Sequence, residues 1–114
     1  MTDKKKIVIF ASGAGSNFIS LYNQIEKGDI NGEIRLLISN NPNCRAIDFA
    51  KEHNILRSVI DRDVISESVK HQEFLLNKIK SINADLIVLA GYLKMIPKEV
   101  ILKYENKILN IHPS

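Results

Sequence analysis

The 114-residue sequence contains no tryptophan, one cysteine and three prolines, and aromatic residues make up only 6% of it. Each shortage removes a class of protein. A lone thiol, Cys44, cannot form an intrachain disulfide and offers no paired-cysteine spacing for a metal, so it reads as a packed thiol. Sparse aromatics without a basic stripe leave little on which nucleic-acid bases could stack. No uncharged run approaches the roughly 20 residues that a membrane-spanning helix requires. The opening MTDKKKIVIFASG sets basic residues before an apolar run, as a signal peptide does, but that run is only about five residues of Ile, Val and Phe. It reads as a strand, and a cytoplasmic protein is expected.

What is present is ordinary for a globular domain: 45% hydrophobic and 25% charged residues. The length suits one domain over residues 1–114, with a modest core and no linker, low-complexity tract or repeat. A net charge of +3 suits small phosphate-bearing ligands and is too slight for a nucleic-acid groove. Lys4, Lys5 and Lys6 read as a solvated lead-in to the first strand.

Apolar runs at KIVIFA, EIRLLIS, ADLIVLA and KILNI, with a weaker one at ILRSVI, are nearly continuous rather than alternating. Strands covered on both faces have that pattern, which belongs to parallel sheets flanked by helices. Between them lie helical stripes: Phe18, Leu21, Tyr22 and Ile25, ending at Gly28; Ala46, Ile47, Phe49 and Ala50; Leu75, Leu76, Ile79 and Ile82. A short fourth helix is expected to open at Pro97 and to carry Val100, Ile101 and Tyr104. Alternation of strand and helix specifies an α/β, doubly wound (Rossmann-like) sheet with expected order 3-2-1-4-5. Its ligand crevice lies beyond the carboxyl ends of the first and fourth strands. Three loops then face one another: ASGAGSN, GYLKM and NIHPS.

In Gly13-Ala14-Gly15-Ser16-Asn17 the glycines allow a tight strand-to-helix turn and close approach of backbone N–H groups to an anion. Ser16 and Asn17 add side-chain donors around a phosphate; the alternative is that one of them simply caps the helix. The dinucleotide fingerprint fails, because its third glycine falls at Phe18 and the second strand ends in Asn40 and Asn41 rather than an acid. A P-loop fails too, for want of Lys-Ser or Lys-Thr.

Asn110 and His112 are two apart on a strand-like segment, so both face one side while the chain stays extended. An amide can donate to a developing oxyanion, and an imidazole can exchange a proton near neutral pH. The competing reading is a solvated strand end beside a turn at Pro113. His53 and His71 fall on expected solvated helix faces.

Together, IVIFASGAGSN, ADLIVLAGYLKMI and ILNIHPS, in this order and at this separation, resemble the N-terminal part of the phosphoribosylglycinamide formyltransferase family over nearly the whole chain. The resemblance implies transfer of a formyl group from 10-formyltetrahydrofolate to glycinamide ribonucleotide in purine synthesis, with no metal. It implies phosphate binding by Gly15, Ser16 and Asn17, and catalysis by Asn110 and His112. It implies a folate pocket of Leu89, Leu93, Lys94, Met95, Ile96 and Asn110, with Lys94 standing where that family usually has Arg. Related formyltransferases acting on initiator methionyl-tRNA, and the hydrolase that deformylates the same folate, share Asn-x-His but generally lack Gly-x-Gly-Ser-Asn. The family also uses a downstream Asp, so a chain that stops after Asn-x-His is expected to be inactive alone and to associate through an exposed sheet edge. A phosphate-binding module or interaction fragment without catalysis is the alternative.

Overall fold

Five strands run parallel, and the first lies in the middle. In this computed structural model, which describes residues 4–11, 15–59, 69–90 and 98–111, they are β1 (Lys5–Ala11), β2 (Gly32–Ser39), β3 (Arg57–Val59), β4 (Leu86–Ala90) and β5 (Ile108–Ile111). Their spatial order is β3-β2-β1-β4-β5, the expected one, and every neighbouring pair is parallel. The direction of winding changes between β1 and β4, which opens a crevice at the carboxyl edge of the sheet.

The helices are α1 (Ser16–Glu26), α2 (Arg45–Glu52), α3 (Val69–Ser81) and α4 (Lys98–Lys103). Successive strand side chains point to opposite faces, so a run such as Val8-Ile9-Phe10 needs cover on both. It has it. Ile7, Ile9, Ala11, Leu37, Val88 and Ala90 pack with Phe18 of α1 and Ala46, Ile47 and Ala50 of α2. Val8, Phe10, Leu36, Ile38 and Ile87 pack with Leu75 and Ile79 of α3 and Val100 of α4. Arg35 is skipped in the β1 to β2 register, where Ile7 pairs with Ile34 and Val8 with Leu36, a one-residue bulge that lets Ile34 and Leu37 reach the same face.

Each helix stops at a residue in the left-handed region: Gly28 (φ 85°), Asn54 (57°), Asn83 (59°) and Asn106 (69°). Glycine enters that region without a Cβ penalty, and asparagine tolerates it better than most residues.

Three expectations change. Among the described residues the weak strand at ILRSVI is Arg57–Val59, because Ile55 is instead buried in the α1/α2 core just before it. In α4, Val100 and, just past its end, Tyr104 are buried, whereas Ile101 is 46% exposed, because six residues present only a narrow stripe to the sheet. β5 is the sheet edge that the order 3-2-1-4-5 implies, but its apolar run is not covered on both faces: Leu109 is 55% exposed and Asn110 is exposed beside it. Pro97 lies outside the described residues.

Candidate functional site

Strand register decides which residues share the crevice. Phe10 pairs with Leu89 and Leu89 with Asn110; one step further, Ala11 pairs with Ala90 and Ala90 with Ile111. Thus β1, β4 and β5 end level, and Asn110 is two strands from the residue that precedes the glycine loop by a few positions. Ile108 and Leu89 both pack against the α3/α4 core, so Asn110, two beyond Ile108, lies on that same face of the sheet. Leu89 is half-buried there, while Asn110 is open to solvent.

At the other end of the row, Gly15 forms the N-terminal boundary of α1 in the left-handed conformation, φ 71° and ψ 23°. The N-cap residue is Gly15 itself, which has no side chain to cap the helix, and Ser16 and Asn17 are its first two helical residues. The first helical hydrogen bond runs from Ile19 N–H to Gly15 O at 2.9 Å. The amides of Ser16, Asn17 and Phe18 precede it and have no acceptor within the helix. Left-handed Gly15 followed by right-handed helix is the backbone sequence of an anion nest. The first turn of α1 contains no acidic residue, so its partial positive charge is not offset from within the helix. Ser16 is exposed and Asn17 half-buried.

The end of β2, two strands from β4, is organised differently. Ser39 is fully buried; its Oγ accepts from Asn41 N–H at 3.2 Å and lies 3.3 Å from Cys44 Sγ. Asn41 Oδ1 accepts from Asn43 N–H at 2.9 Å. These bonds shape the approach to α2 and bury Cys44 as a packed thiol. Asn40 differs from its neighbours: its Oδ1 is buried with no hydrogen-bond partner among the described residues.

Along the outer face of α1 runs a groove of about 360 Å³ lined by Ser16, Ile19, Ser20, Asn23, Gln24 and Lys27, with Arg45 of α2 alongside. Sequence reasoning passed over Arg45; its only signal was a cation at the opening of the second helix. Among the described residues no three His, Cys, Asp or Glu side chains converge as a metal site would require. His112 and the loop residues Leu93, Lys94, Met95 and Ile96 lie outside the described residues, as does Gly13. Among the described residues, Tyr22 and Tyr104 have displaced phenols. Burial, then the nearby Glu26 carboxylate, raises Tyr22, and burial alone raises Tyr104.

Comparison with known proteins agrees with this architecture. The chain is 34% identical over 110 residues to phosphoribosylglycinamide formyltransferase of Haemophilus influenzae, a match covering 96% of this chain and 52% of that protein. It is 33% identical to the chloroplastic enzyme of that name from Vigna unguiculata, over 97% of this chain and 36% of the relative. The crystal structure of glycinamide ribonucleotide transformylase 1 from Geobacillus kaustophilus superposes with a TM-score of 0.88 at 32% identity, covering 97% of this chain and 59% of that one. The chain therefore spans between about a third and three-fifths of the length of these relatives. The formyl transferase family profile matches residues 5–114, all but the first four residues of the sequence, and the chain belongs to that family.

Proposed function

We propose that this chain provides the phosphate-binding and part of the catalytic apparatus of a phosphoribosylglycinamide formyltransferase, which moves a formyl group from 10-formyltetrahydrofolate to the amine of glycinamide ribonucleotide. One observation carries the reading: the acid-free N-terminus of α1, which follows β1, and the solvent-open Asn110 of β5 belong to the carboxyl end of a sheet in which β1, β4 and β5 end level. The names of the relatives support this choice of substrate.

In this reading the ribonucleotide phosphate sits against the amides at Gly15, Ser16 and Asn17. The substrate amine attacks the formyl carbon and forms a carbon–nitrogen bond. The formyl oxygen takes up negative charge, and the side-chain amide of Asn110 and a protonated His112 donate to it. The carbon–nitrogen bond to the folate then breaks, and the attacking amine's proton ends on the folate nitrogen. Leu89, Leu93, Lys94, Met95 and Ile96 line the folate side. The described part of that set is consistent in chemistry, since Leu89 is apolar and half-buried beside the polar, open Asn110.

A cytoplasmic setting fits the unpaired Cys44 thiol. Self-association through the exposed β5 edge belongs to the same proposal. A binding module without catalysis is the second reading, favoured by the position of the proposed phosphate site at the start of α1, independent of β5. Calorimetric titration with glycinamide ribonucleotide, followed by a formyl-transfer assay with 10-formyltetrahydrofolate, separates the two. Binding with turnover supports the enzyme, binding without turnover the module, and the absence of binding overturns both.

A further inference from the structure

We propose that Arg45 is a side-chain contact for the phosphate held at Gly15, Ser16 and Asn17. This rests on the phosphate reading given above and adds to it a cation from a different helix.

The placement follows from how α2 meets α1. A Cβ added to Gly15 would lie 2.7 Å from Ala46 Cβ, 3.0 Å from Ala46 Cα and 3.3 Å from Ala46 N. Neighbouring Cα atoms are about 3.8 Å apart, so the Arg45 Cα is within about 7 Å of that same point, well inside the reach of an arginine side chain. The two helices therefore bring their first residues together, and Arg45 and Ser16 line one groove.

The other residues along that groove are Ile19, Ser20, Asn23, Gln24 and Lys27, none of them acidic. Lys27 lies eleven residues after Ser16, about 16 Å further along the helix axis, too far to serve the same anion. Arg45 is exposed, and among the described residues the one ion pair joins Arg35 to Glu33. Asp48, one turn along α2, stands where a helical partner for Arg45 would be, yet the two do not pair. A guanidinium with no ion-pair partner among the described residues, beside the first amides of α1, is suited to a phosphate, because its planar fork donates two parallel hydrogen bonds to two oxygens. Backbone amides fix where the phosphorus sits; the guanidinium adds a full charge and so favours the dianion over neutral polar groups.

The test titrates the 114-residue chain and three variants with inorganic phosphate and with glycinamide ribonucleotide, following amide chemical shifts and repeating the series at several salt concentrations. R45Q should bind both about tenfold more weakly, the loss of one charge-assisted pair, and with a shallower salt dependence. R45K should fall between, keeping the charge but not the fork. N17D, which puts a carboxylate among the amides, should abolish binding. If N17D loses binding while R45Q keeps wild-type affinity and salt dependence, the Arg45 inference is wrong and the phosphate site stands. If N17D binds as well as wild type, or phosphate shifts no amide of α1 in the wild-type chain, the phosphate reading fails and this inference with it. Arg45 is exposed, so R45Q should keep the wild-type spectrum without ligand.

Discussion

Gly15 and Ala46 approach so closely that a Cβ on Gly15 would fall 2.7 Å from the Cβ of Ala46 and 3.0 Å from its Cα. Real Cβ contacts are never so short, and the backbone atom cannot swing aside. Gly15 also has φ 71°, a conformation that costs a side-chain-bearing residue about 1–2 kcal/mol. Gly15→Ala should therefore destabilise the fold by about 2–4 kcal/mol, overpacking and backbone strain together. Ala46→Gly in that background should recover the part of the packing cost due to the Ala46 Cβ, leaving the contact with the Ala46 backbone and the φ share. Urea denaturation of the double-mutant cycle measures the split, and a coupling below about 0.5 kcal/mol would mean that the two residues do not clash.

A consequence is that bulky substitutions at Gly15 cannot by themselves report on phosphate binding, because they damage the junction of α1 and α2 first. Asn17→Asp separates fold from ligand. A carboxylate in the first turn of α1, where no acid stands, should raise stability by about 0.3–1 kcal/mol at neutral pH. The same charge should repel a phosphate. Thermal melts with and without inorganic phosphate check both signs: a higher melting temperature without ligand, and no ligand-induced rise.

Most of the architecture is legible in residues whose local preference and global role agree. Val8-Ile9-Phe10 and Leu36-Leu37-Ile38 are continuous because each strand is covered on both faces, and that continuity gives away a parallel sheet. Gly28 marks the end of α1, but Asn54, Asn83 and Asn106, which close the next three helices, carry a weaker signal because asparagine is common in turns of every kind. β5 misleads for another reason. KILNI is as apolar as a covered strand, yet Leu109 is open to solvent; the strand's place at the edge follows from the expected order 3-2-1-4-5, not from its own apolar pattern. Arg45 escaped notice because its meaning comes from a neighbour thirty positions away, Gly15, and from a helix packing that no local pattern encodes.

Burial raises the Tyr104 phenol, and the sign of its effect on stability follows directly. With the folded pKa above the unfolded one, the stabilisation is intact below about pH 10, the ordinary tyrosine value. As pH rises further, the unfolded chain releases its proton first, so stability falls until the folded phenol also ionises. Tyr104→Phe should flatten that alkaline fall at some cost in stability near neutrality. Denaturant midpoints between pH 8 and about 11 test it, with Tyr22→Phe as a second variant, since burial and Glu26 raise that phenol as well. An identical alkaline slope in Tyr104→Phe would assign the fall to other groups.

The edge strand makes a prediction of its own. β5 ends the sheet with Leu109 55% exposed and no partner strand on its outer side among the described residues. Unpaired strand amides and carbonyls next to an apolar side chain template association. Leu109→Lys should lower concentration-dependent self-association in sedimentation velocity while changing stability by no more than about 0.5 kcal/mol, because the side chain contributes little to the core. Unchanged sedimentation at matched concentration would remove the β5 edge as a contact.

Asn110 pairs directly with Leu89 of β4 and is exposed, and its side chain makes no hydrogen bond among the described residues. A side chain so placed does little for folding, and Asn110→Ala should shift the denaturation midpoint by less than about 0.5 kcal/mol. If its amide donates to the formyl oxygen only as that oxygen gains charge, the same change should lower kcat by about two to three orders of magnitude and leave KM for glycinamide ribonucleotide almost unchanged. The comparison is made on formyl transfer by this chain, or by this chain supplied with the additional length its relatives possess. His112→Ala should behave alike, and the double variant should lose little more than either single one, because two donors that serve one oxyanion act as a unit. A rise confined to KM would instead make Asn110 a contact for bound substrate, and independent losses that multiply in the double variant would mean that the two residues serve different steps.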